Sequence, residues 1–303
     1  MLDLGGLQRR AEFFSLIRQF FTQRDFLEVD TPLRQPLYIP ESTIEPIPAD
    51  GQYLQSSPEI CMKRLLAAGT KRIFQICRCF RKGERGRYHL EEFQMLEWYR
   101  RGEDYRQLMV DCQELLGFLA QRLTVSRSVD GREVFAGVAL HPSWQRLTVA
   151  EAFAKYSPVS LDRALAEELF DELLVEHVEP RLGQGAPLFL YDYPLQLASL
   201  AREKVGEPGV AERFELYING IELVNGFSEL TDALEQRRRL SEEIATIAAR
   251  GTRLAVMPER FLEDLQALDT AAGAALGVDR LFMVAMGYST LGEAVTFSPA
   301  DLV

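Results

Sequence analysis

The stretch AERFELYINGIELVNGFSEL, residues 211–230, decides the fold. Asn219-Gly220 lies between two runs in which apolar and polar residues alternate, and this dipeptide is the strongest short signal for a two-residue β-hairpin turn. Such a turn pairs Leu216 with Leu223 across the hairpin. One face of the hairpin is then predicted to be wholly apolar, formed by Phe214, Leu216, Ile218, Ile221 and Leu223.

The opposite face of this hairpin is mostly polar. It is predicted to carry Arg213, Glu215, Tyr217, Glu222 and Val224. Glu215 and Glu222 become diagonal neighbours, about 7–8 Å apart. Two ionised carboxylates this close repel each other, and a hard cation such as Mg²⁺, shared with phosphate oxygens, would relieve the repulsion. The alternative is a solvated hairpin face with two glutamates of no special function.

Composition and charge limit the classes of function. The chain has 303 residues, of which 47% are hydrophobic and 26% charged, as in an ordinary globular protein. The formal net charge of −11 argues against stable nucleic-acid binding, which needs clustered Lys and Arg. The sequence contains no signal peptide and no apolar run long enough to span a bilayer. We therefore expect a soluble cytoplasmic protein without membrane association.

The cysteines predict neither a metal centre nor a disulfide framework. Cys61, Cys77, Cys79 and Cys112 match no zinc-binding spacing. Cys77 and Cys79 would share one face of a strand, where they cannot easily form a bridge. Reduced thiols agree with a cytoplasmic protein.

Hydrophobic periodicity and the positions of capping residues and prolines predict the order of the helices and strands. A helix is expected over 6–24, followed by a strand over 26–30. A second helix follows Ser57 as N-cap, with Pro58 at its first position. Residues 278–286 are predicted as a helix and residues near 294–297 as a last strand.

The strands are expected to be joined by hairpins. Residues 71–80 and 92–99 form one such pair, and the 211–230 hairpin forms another. This arrangement predicts an antiparallel sheet with helices on one face, an α+β fold. We expect a single domain over residues 1–303, with a small elaboration at about 123–190.

Two further segments favour an anionic ligand. Alternation in the strand pair places Gln75, Cys77, Cys79 and Arg81 on one face, and Phe93, Met95, Glu97 and Tyr99 on one face of the partner. The loop between these strands is basic, with Arg81, Lys82, Arg85, Arg87 and His89, and suits a triphosphate. A solvated charged loop is the alternative. In GAALGVDR, residues 273–280, a glycine-containing turn leads into a helix and can bring backbone against a nucleotide, with Arg280 on a phosphate.

Together these segments resemble the class II aminoacyl-tRNA synthetase catalytic core. FLEVDTP, residues 26–32, is similar to its motif 1, and FRKGERGRYHLEEFQMLEWY, residues 80–99, to motif 2. GAALGVDR is similar to motif 3. SPEICMKRLL, MLEWY and ELVNGFSEL resemble the lysyl-tRNA synthetase branch in particular.

Motif 1 begins within the first residues, so the anticodon-binding domain of lysyl-tRNA synthetases is not expected. The segments GRYH, EFQMLEWYR and ALGVDRL are similar to the corresponding segments of the stand-alone paralogues of that branch. This resemblance implies an ATP-dependent ligase that attaches (R)-β-lysine to a lysine side chain of translation elongation factor P. It also implies Mg²⁺, and a homodimer formed through the motif 1 unit.

The resemblance implies a role for each matching residue. Arg81 would hold the substrate carboxylate and the α-phosphate, and Glu59 the amino group near the reacting end. The residues expected to bind the amino acid are Ser57, Pro58, Glu59, Glu97, Tyr99, Asn225, Glu229 and Ala275. Those expected to bind ATP are Arg81, Lys82, Gly83, Leu90, Glu222, Leu223, Gly277 and Arg280. Glu215 and Glu222 would bind the metal, and the catalytic set would be Arg81, Glu222 and Arg280.

The chain departs from the family pattern at two places. The motif 2 loop reads RKGE and HLEEF where the family commonly has RNE and HNPEF, so Gly83 and Leu90 offer only backbone or apolar contacts. Ala275 stands where tRNA-charging lysyl enzymes usually have Gly, and one methyl on a pocket floor is enough to disfavour a substrate.

Two other functions stay open at this point. One is a truncated lysyl-tRNA synthetase-like enzyme that charges tRNA with lysine. The acidic net charge and Ala275 speak against it. The other is a non-catalytic lysine or nucleotide sensor, against which the retained Arg81, Glu222 and Arg280 speak.

Overall fold

The computed structural model describes residues 1–123, 127–129, 132–135, 138–140, 144–251 and 255–302. Helices α1 to α10 span Leu4–Thr22, Glu59–Ala67, Tyr105–Arg122, Val149–Tyr156, Leu161–Ala166, Phe170–Leu173, Ala233–Ala249, Glu259–Leu265, Val278–Met286 and Leu291–Ala294. Strands β1 to β14 span Leu27–Glu28, Arg34–Gln35, Ile47–Ala49, Gln52–Leu54, Arg72–Phe80, Glu92–Arg101, Arg127–Val129, Arg132–Phe135, Val138–Ala139, Gln145–Thr148, Leu188–Pro194, Val210–Ile218, Ile221–Ser228 and Ala271–Gly277.

An eight-stranded sheet organises the molecule, in the order β1-β5-β6-β14-β13-β12-β11-β10. The six central strands pair antiparallel, whereas β1 joins β5 and β10 joins β11 in parallel at the two edges. Two three-stranded sheets, β2-β4-β3 and β7-β8-β9, accompany it. The predicted α+β class with a mainly antiparallel sheet is confirmed.

Helices cover both faces of the large sheet, so the prediction of helices on one face is wrong. Helices α1, α3 and α9 pack on the face that carries Phe74 and Trp98. The opposite face carries Ile73 and Tyr99, and α2 and α8 bury Met62 and Phe261 against this end of the sheet. Both faces therefore contribute apolar core, and the polar residues described below lie on the second face.

The 211–230 hairpin forms with Ile218 opposite Ile221, but a β-bulge breaks the expected register. Beyond Tyr217, which pairs with Glu222, the partner of Leu216 is Val224 instead of Leu223. The extra residue of a bulge shifts the alternation of the strand that carries it. Val224 therefore joins the apolar face, and Asn225 moves to the polar face opposite Glu215.

The start of one predicted helix and the last predicted strand also differ from the structure. Helix α2 begins at Glu59 with Pro58 as its N-cap residue, although Ser57 Oγ still accepts a hydrogen bond from the Glu59 N–H at 3.0 Å. The strand predicted near 294–297 does not form, since Thr290 and Glu293 build a capping box that starts α10. An apolar run this short suits a helix as well as a strand.

The segment predicted as an elaboration contributes to the large sheet. Within it, β10 pairs with β11, and α4 to α6 form a core with Tyr217 of β12. Residues 124–126, 130–131, 136–137 and 141–143 of that segment lie outside the described residues. All the cysteines are free thiols, as predicted. Among the described helices, none is both long and apolar enough to cross a membrane.

Candidate active site

One row of side chains crosses five strands of the sheet. The register pairs Gln75 with Glu97, Glu97 with Ala275, Ala275 with Asn225, and Asn225 with Glu215. Directly opposite residues point to the same face, so these side chains line one polar strip. The strip brings together four residues that the sequence assigned to substrate or metal, and Ala275 lies at its centre.

A carboxylate pocket, defined here by Glu59, Glu97 and Glu229, lies at the α2 end of this strip. Ser57 Oγ donates to Glu97 Oε1 at 2.5 Å, and Tyr99 Oη donates to Glu97 Oε2 at 2.7 Å. Glu97 and Glu229 are each 1% exposed. The structure therefore gathers the predicted lysine-binding residues, including Ser57 and Tyr99, around one buried acidic centre.

Lys63 also lies in this pocket, and sequence reasoning missed it. Its side chain is 1% exposed, and its ammonium forms an ion pair with Glu59 one helical turn earlier in α2. Lys63 Nζ also lies 2.5 Å from Glu229 Oε2. The i, i+4 spacing of Glu59 and Lys63 was visible in SPEICMKRLL, but only the fold brings Glu229 to the same ammonium.

Burial weakens the acidity of the pocket carboxyls. It raises the pKa of Glu97 to about 7, with the Glu59 charge adding to the effect. Burial likewise raises the pKa of Glu229 to about 8, although Lys63 acts in the opposite direction. Glu41, which carried no motif in the sequence, has a pKa raised to about 7 by burial and then by Glu59. The pocket holds more carboxyl groups than ammonium groups, and an incoming ammonium group would favour their ionised form.

Gly273 lets two pocket residues approach the sheet. It pairs with Tyr99 across β6 and β14. A Cβ at this position would overlap the Tyr99 ring and come within 2.5 Å of Glu229 Oε1. Gly273 thus shapes the carboxylate pocket, a role that the sequence analysis did not assign.

The motif 2 loop between β5 and β6 is closed by Glu91. Its carboxylate accepts the Gly83 N–H at 2.7 Å and a hydrogen bond from Arg85 at 2.6 Å. Gly83 has a left-handed φ of 79°, which suits glycine. Leu90 packs its side chain against the main core, so it offers no polar side-chain contact, as expected.

Arg81 stands between this loop and the carboxylate pocket. Its Nε donates to the Ser56 carbonyl at 3.4 Å, next to Ser57, and its guanidinium lies 5.3 Å from the Phe93 ring centroid. Lys82 is exposed and pairs with Glu45 at 3.1 Å. Arg81 is thus positioned beside the acidic pocket, on the side of the basic loop.

Arg280 connects the hairpin with the motif 2 loop. From the first turn of α9 it contacts Glu222 Oε2 at 3.2 Å and donates to the Tyr88 carbonyl at 3.0 Å. Its Nη2 also lies 2.7 Å from His89 Nε2. Burial lowers the pKa of His89, and the charge of the Arg280 guanidinium lowers it further. Gly277 is the N-cap residue of α9.

Leu223 and Pro58 occupy supporting positions. The Leu223 side chain is buried in the main core, so only its main chain is free to meet a nucleotide. Pro58 is the residue at which the chain enters α2. Neither side chain offers a polar group to a ligand.

Glu215 is held by three neighbours on the polar side of the hairpin. It pairs with Arg213 at 2.7 Å, lies 2.7 Å from the Tyr217 hydroxyl, and accepts a hydrogen bond from Tyr193. Tyr217 Oη is also 3.0 Å from Glu179, a carboxyl that the sequence did not single out. Burial raises the pKa of Glu215, and the Glu222 charge raises it further. The two carboxylates therefore interact electrostatically, as the hairpin pattern predicted.

These carboxylates fit a divalent cation that arrives with its own oxygen ligands. Among the described residues, no three His, Cys, Asp or Glu side chains converge as a metal cluster. Glu215 and Glu222 supply hard oxygen donors, and Mg²⁺ commonly binds through one or two carboxylates plus substrate phosphates. The arrangement thus fits Mg²⁺ bound together with a nucleotide.

Comparison with known proteins agrees with this geometry. The family profile described as tRNA synthetases class II (D, K and N) matches residues 6–300. Elongation factor P--(R)-beta-lysine ligase of Salmonella gallinarum is 39% identical over 311 residues, which cover 98% of this chain and 95% of that protein. The proteins of the same name from Edwardsiella ictaluri and Pectobacterium carotovorum subsp. carotovorum are 38% and 39% identical, covering 97% and 98% of this chain and 95% of each relative. The chain belongs to the class II tRNA synthetase family, on the branch of the elongation factor P--(R)-β-lysine ligases.

Proposed function

We propose that this protein activates (R)-β-lysine with ATP and transfers it to a lysine side chain of elongation factor P. The observation that carries the proposal is the buried carboxylate pocket beside Arg81. A substrate with two ammonium groups and one carboxylate is complementary to an acidic pocket that has a guanidinium at its border. Full-length relatives of this branch bear the name of that activity.

The chemistry takes place in two steps. The substrate carboxylate attacks the α-phosphate of ATP in line, so that a mixed anhydride forms and pyrophosphate leaves. A neutral lysine amine of the acceptor then attacks the carbonyl carbon, the anhydride bond breaks, and an amide and AMP result. Arg81 and Arg280 would stabilise negative charge on the transferring group, which is electrostatic catalysis.

The protein's own residues perform positioning. Glu59, Glu97 and Glu229 would orient the ammonium groups, with Tyr99 and Ser57 fixing the Glu97 carboxylate. Holding the two reacting groups in line converts a bimolecular step into an effectively unimolecular one. Mg²⁺ held by Glu215 and Glu222 would neutralise phosphate charge when ATP is bound.

The remaining site residues would serve the nucleotide and the substrate backbone. The basic loop with Lys82 and Gly83 would lie along the phosphates, and Leu90, Leu223 and Gly277 would offer main-chain or apolar contacts. Asn225, brought onto the polar strip by the bulge, would contact substrate or nucleotide. The acceptor is a translation factor, which makes the cytoplasm the place of action.

A homodimer forms part of the proposal. Helix α1 exposes Leu4 and Leu7, and the following strand exposes Leu27, at 72%, 38% and 57%. Apolar side chains at this density suit a self-complementary two-fold contact. Light scattering should give twice the chain mass; a monomer mass that does not change with concentration would contradict the dimer.

The function is tested with purified protein, ATP and elongation factor P. Pyrophosphate exchange should be supported by (R)-β-lysine far better than by α-lysine. Intact-mass analysis should show one lysyl addition to the factor, and replacing the factor's acceptor lysine should block it. Charged tRNA together with an unmodified factor would instead establish the tRNA ligase, and no exchange with any lysine isomer would favour the sensor.

A further inference from the structure

The proposed chemistry leaves the buried ammonium of Lys63 without a task. A lysine is almost never fully buried unless it is paired, since removing its charge from water is costly. Lys63 is 1% exposed and meets two carboxylates that would be expected to bind the substrate. An ammonium-binding pocket that already contains an ammonium needs an explanation.

The surroundings of Lys63 are charged on several sides. Glu59 approaches from α2 itself and Glu229 from the end of β13, while Glu97 and Tyr99 of β6 and Glu41 lie in the same electrostatic environment. Two aromatic rings complete the site, with the Phe227 and Phe261 centroids 5.2 and 6.0 Å from Nζ. The ammonium therefore has a fixed place, and its pKa is raised above the ordinary value because the two glutamates outweigh the effect of burial.

Lys63 has an ion-pair contact with one oxygen of each glutamate. Its partners are Glu59 Oε1 and Glu229 Oε2. Both side-chain oxygens of Glu229 are buried and make no hydrogen bond among the described residues, and the ion pair with Lys63 is at Oε2, which leaves Oε1. A buried acceptor without a partner is costly, so this oxygen marks a position for a donor that the protein does not provide.

We infer that Lys63 is a positioning residue, whose fixed ammonium holds the Glu59 and Glu229 carboxylates in place and directs the substrate ammonium to Glu229 Oε1. The inference rests on the proposed function and adds a residue to it. With Lys63 present, the pKa of Glu229 is lower than burial alone would make it, so more of this carboxyl is ionised when the substrate arrives. Without it, an excess of carboxylates would take up a proton, which the substrate would have to displace.

The test compares the pH dependence of the KM for (R)-β-lysine in pyrophosphate exchange. Lys63→Met removes the charge at similar length, Lys63→Arg keeps it, and Lys155→Met is a matched change at an exposed lysine. In the wild-type enzyme the KM should rise as the pH falls below about 8, the pKa of Glu229. Losing an adjacent opposite charge raises a carboxyl pKa by about 1–3 units. In Lys63→Met, the acidic limb of the profile, which is the pH range in which the KM rises, should therefore move to higher pH by that amount.

Three results support the inference together. The KM of Lys63→Met at neutral pH should be at least about tenfold higher, corresponding to one pKa unit. The KM for ATP should stay within about twofold. Lys63→Arg and Lys155→Met should keep the limb at its wild-type position. A purely structural role would instead lower activity or stability without moving the limb.

The results that would contradict the role of Lys63 differ from the results that would contradict the proposed function. An unmoved limb in Lys63→Met, or an equal shift in Lys63→Arg, would overturn the role of Lys63 while exchange by the wild-type enzyme upholds the ligase. If Lys63→Met does not fold, Lys63→Gln removes the charge while retaining a hydrogen-bonding group. If that variant also fails to fold, Lys63→Arg decides: a displaced limb would overturn the inference.

Discussion

The carboxylate pocket and the hairpin's polar side use the same residue type in opposite ways. In the pocket, Glu59 and Glu229 share the single ammonium of Lys63, so negative charge remains in excess. On the hairpin, Glu215 has Arg213 and Glu222 has Arg280. The first region has fewer cations than carboxyl groups and would suit an added cation. The second is balanced by itself, so a metal–nucleotide complex must compete with ion pairs that already exist.

The contrast predicts how each region responds to a ligand. Adding a diammonium substrate to the pocket compensates buried charge, which favours tight binding without rearrangement. Adding phosphate and metal to the hairpin requires Arg280 to exchange Glu222 for phosphate oxygens. That exchange has little net electrostatic cost because one anion replaces another. The following substitutions are ordered from the largest expected effect to the smallest.

Glu222→Gln should have the largest effect. It removes the carboxylate partner of Arg280 and the proposed metal ligand, so adenylate formation should fall by about 10³-fold in kcat, as when a transition-state charge contact is lost. The fold should be retained, since Glu222 is partly exposed. Pyrophosphate exchange measures the loss, and circular dichroism measures the fold.

Glu167→Gln, at the exposed C-cap of α5, is the matched control, because the surface pair of Glu167 with Arg163 contributes little. It should retain full activity. A fully active Glu222→Gln enzyme would overturn the metal assignment and leave the hairpin as a solvated face.

Gly273→Ala should damage the carboxylate pocket and leave Glu215 and Glu222 on the polar side of the hairpin in place. The new methyl would displace Tyr99 and Glu229. A displacement near 1 Å costs roughly 10²-fold, which should appear in the KM for (R)-β-lysine, with the KM for ATP much less affected.

Gly117→Ala provides the control, because nothing lies within 4 Å of the Cβ it would add in α3. It should leave both KM values unchanged. Equal rises in both KM values of Gly273→Ala would indicate a general loss of structure and would remove the distinction between the two regions.

Ala275→Gly should change the choice between lysine isomers. Ala275 lies between Glu97 and Asn225 on the polar strip, so its methyl would limit the space at the reacting end of a bound lysine. One methyl accounts for about 1–3 kcal/mol of discrimination, and the preference for β- over α-lysine should fall correspondingly.

Ala274→Gly removes a methyl one residue away, on the side that packs into the main core. It should lower stability and keep the isomer preference. If the wild-type enzyme already uses both isomers equally, Ala275 has no role in specificity.

The smallest expected effect is on the pH dependence of the stability of the folded protein. Glu97 and Glu229 have pKa values of about 7 and 8, above the unfolded value of about 4.3. The stability linked to their raised pKa is present below pH 4.3 and is lost as the pH rises through 7 to 8. Calorimetry between pH 6 and 9 should show the Tm of the free protein falling by about 2–4 °C for each kcal/mol lost.

Glu229→Gln should reduce this slope, and Glu167→Gln should not. (R)-β-lysine should reduce the fall in Tm as well, because bound cations favour the ionised carboxylates. A Tm that rises over this range would contradict the account of the pocket as a store of uncompensated negative charge.

Local patterns predicted the elements whose cause is local. The Asn-Gly turn placed the 211–230 hairpin correctly, and helix 278–286 has the predicted bounds. The strand pair over 71–80 and 92–99 also formed, with Gln75 and Glu97 on one face as alternation required. Turn chemistry and side-chain period act over a few residues, so they can be read without knowing the fold.

The sequence by itself therefore determined the α+β class, the family motifs and most of the residues gathered at the site. Only the tertiary structure decided the bulge that turns Asn225 toward the polar strip, the second carboxylate partner of Lys63, and the closure of the motif 2 loop by Glu91. Each of these depends on strand register or on contacts between segments that only folding brings together. Cross-strand register and burial energy are properties of the packed sheet, and no local pattern carries them.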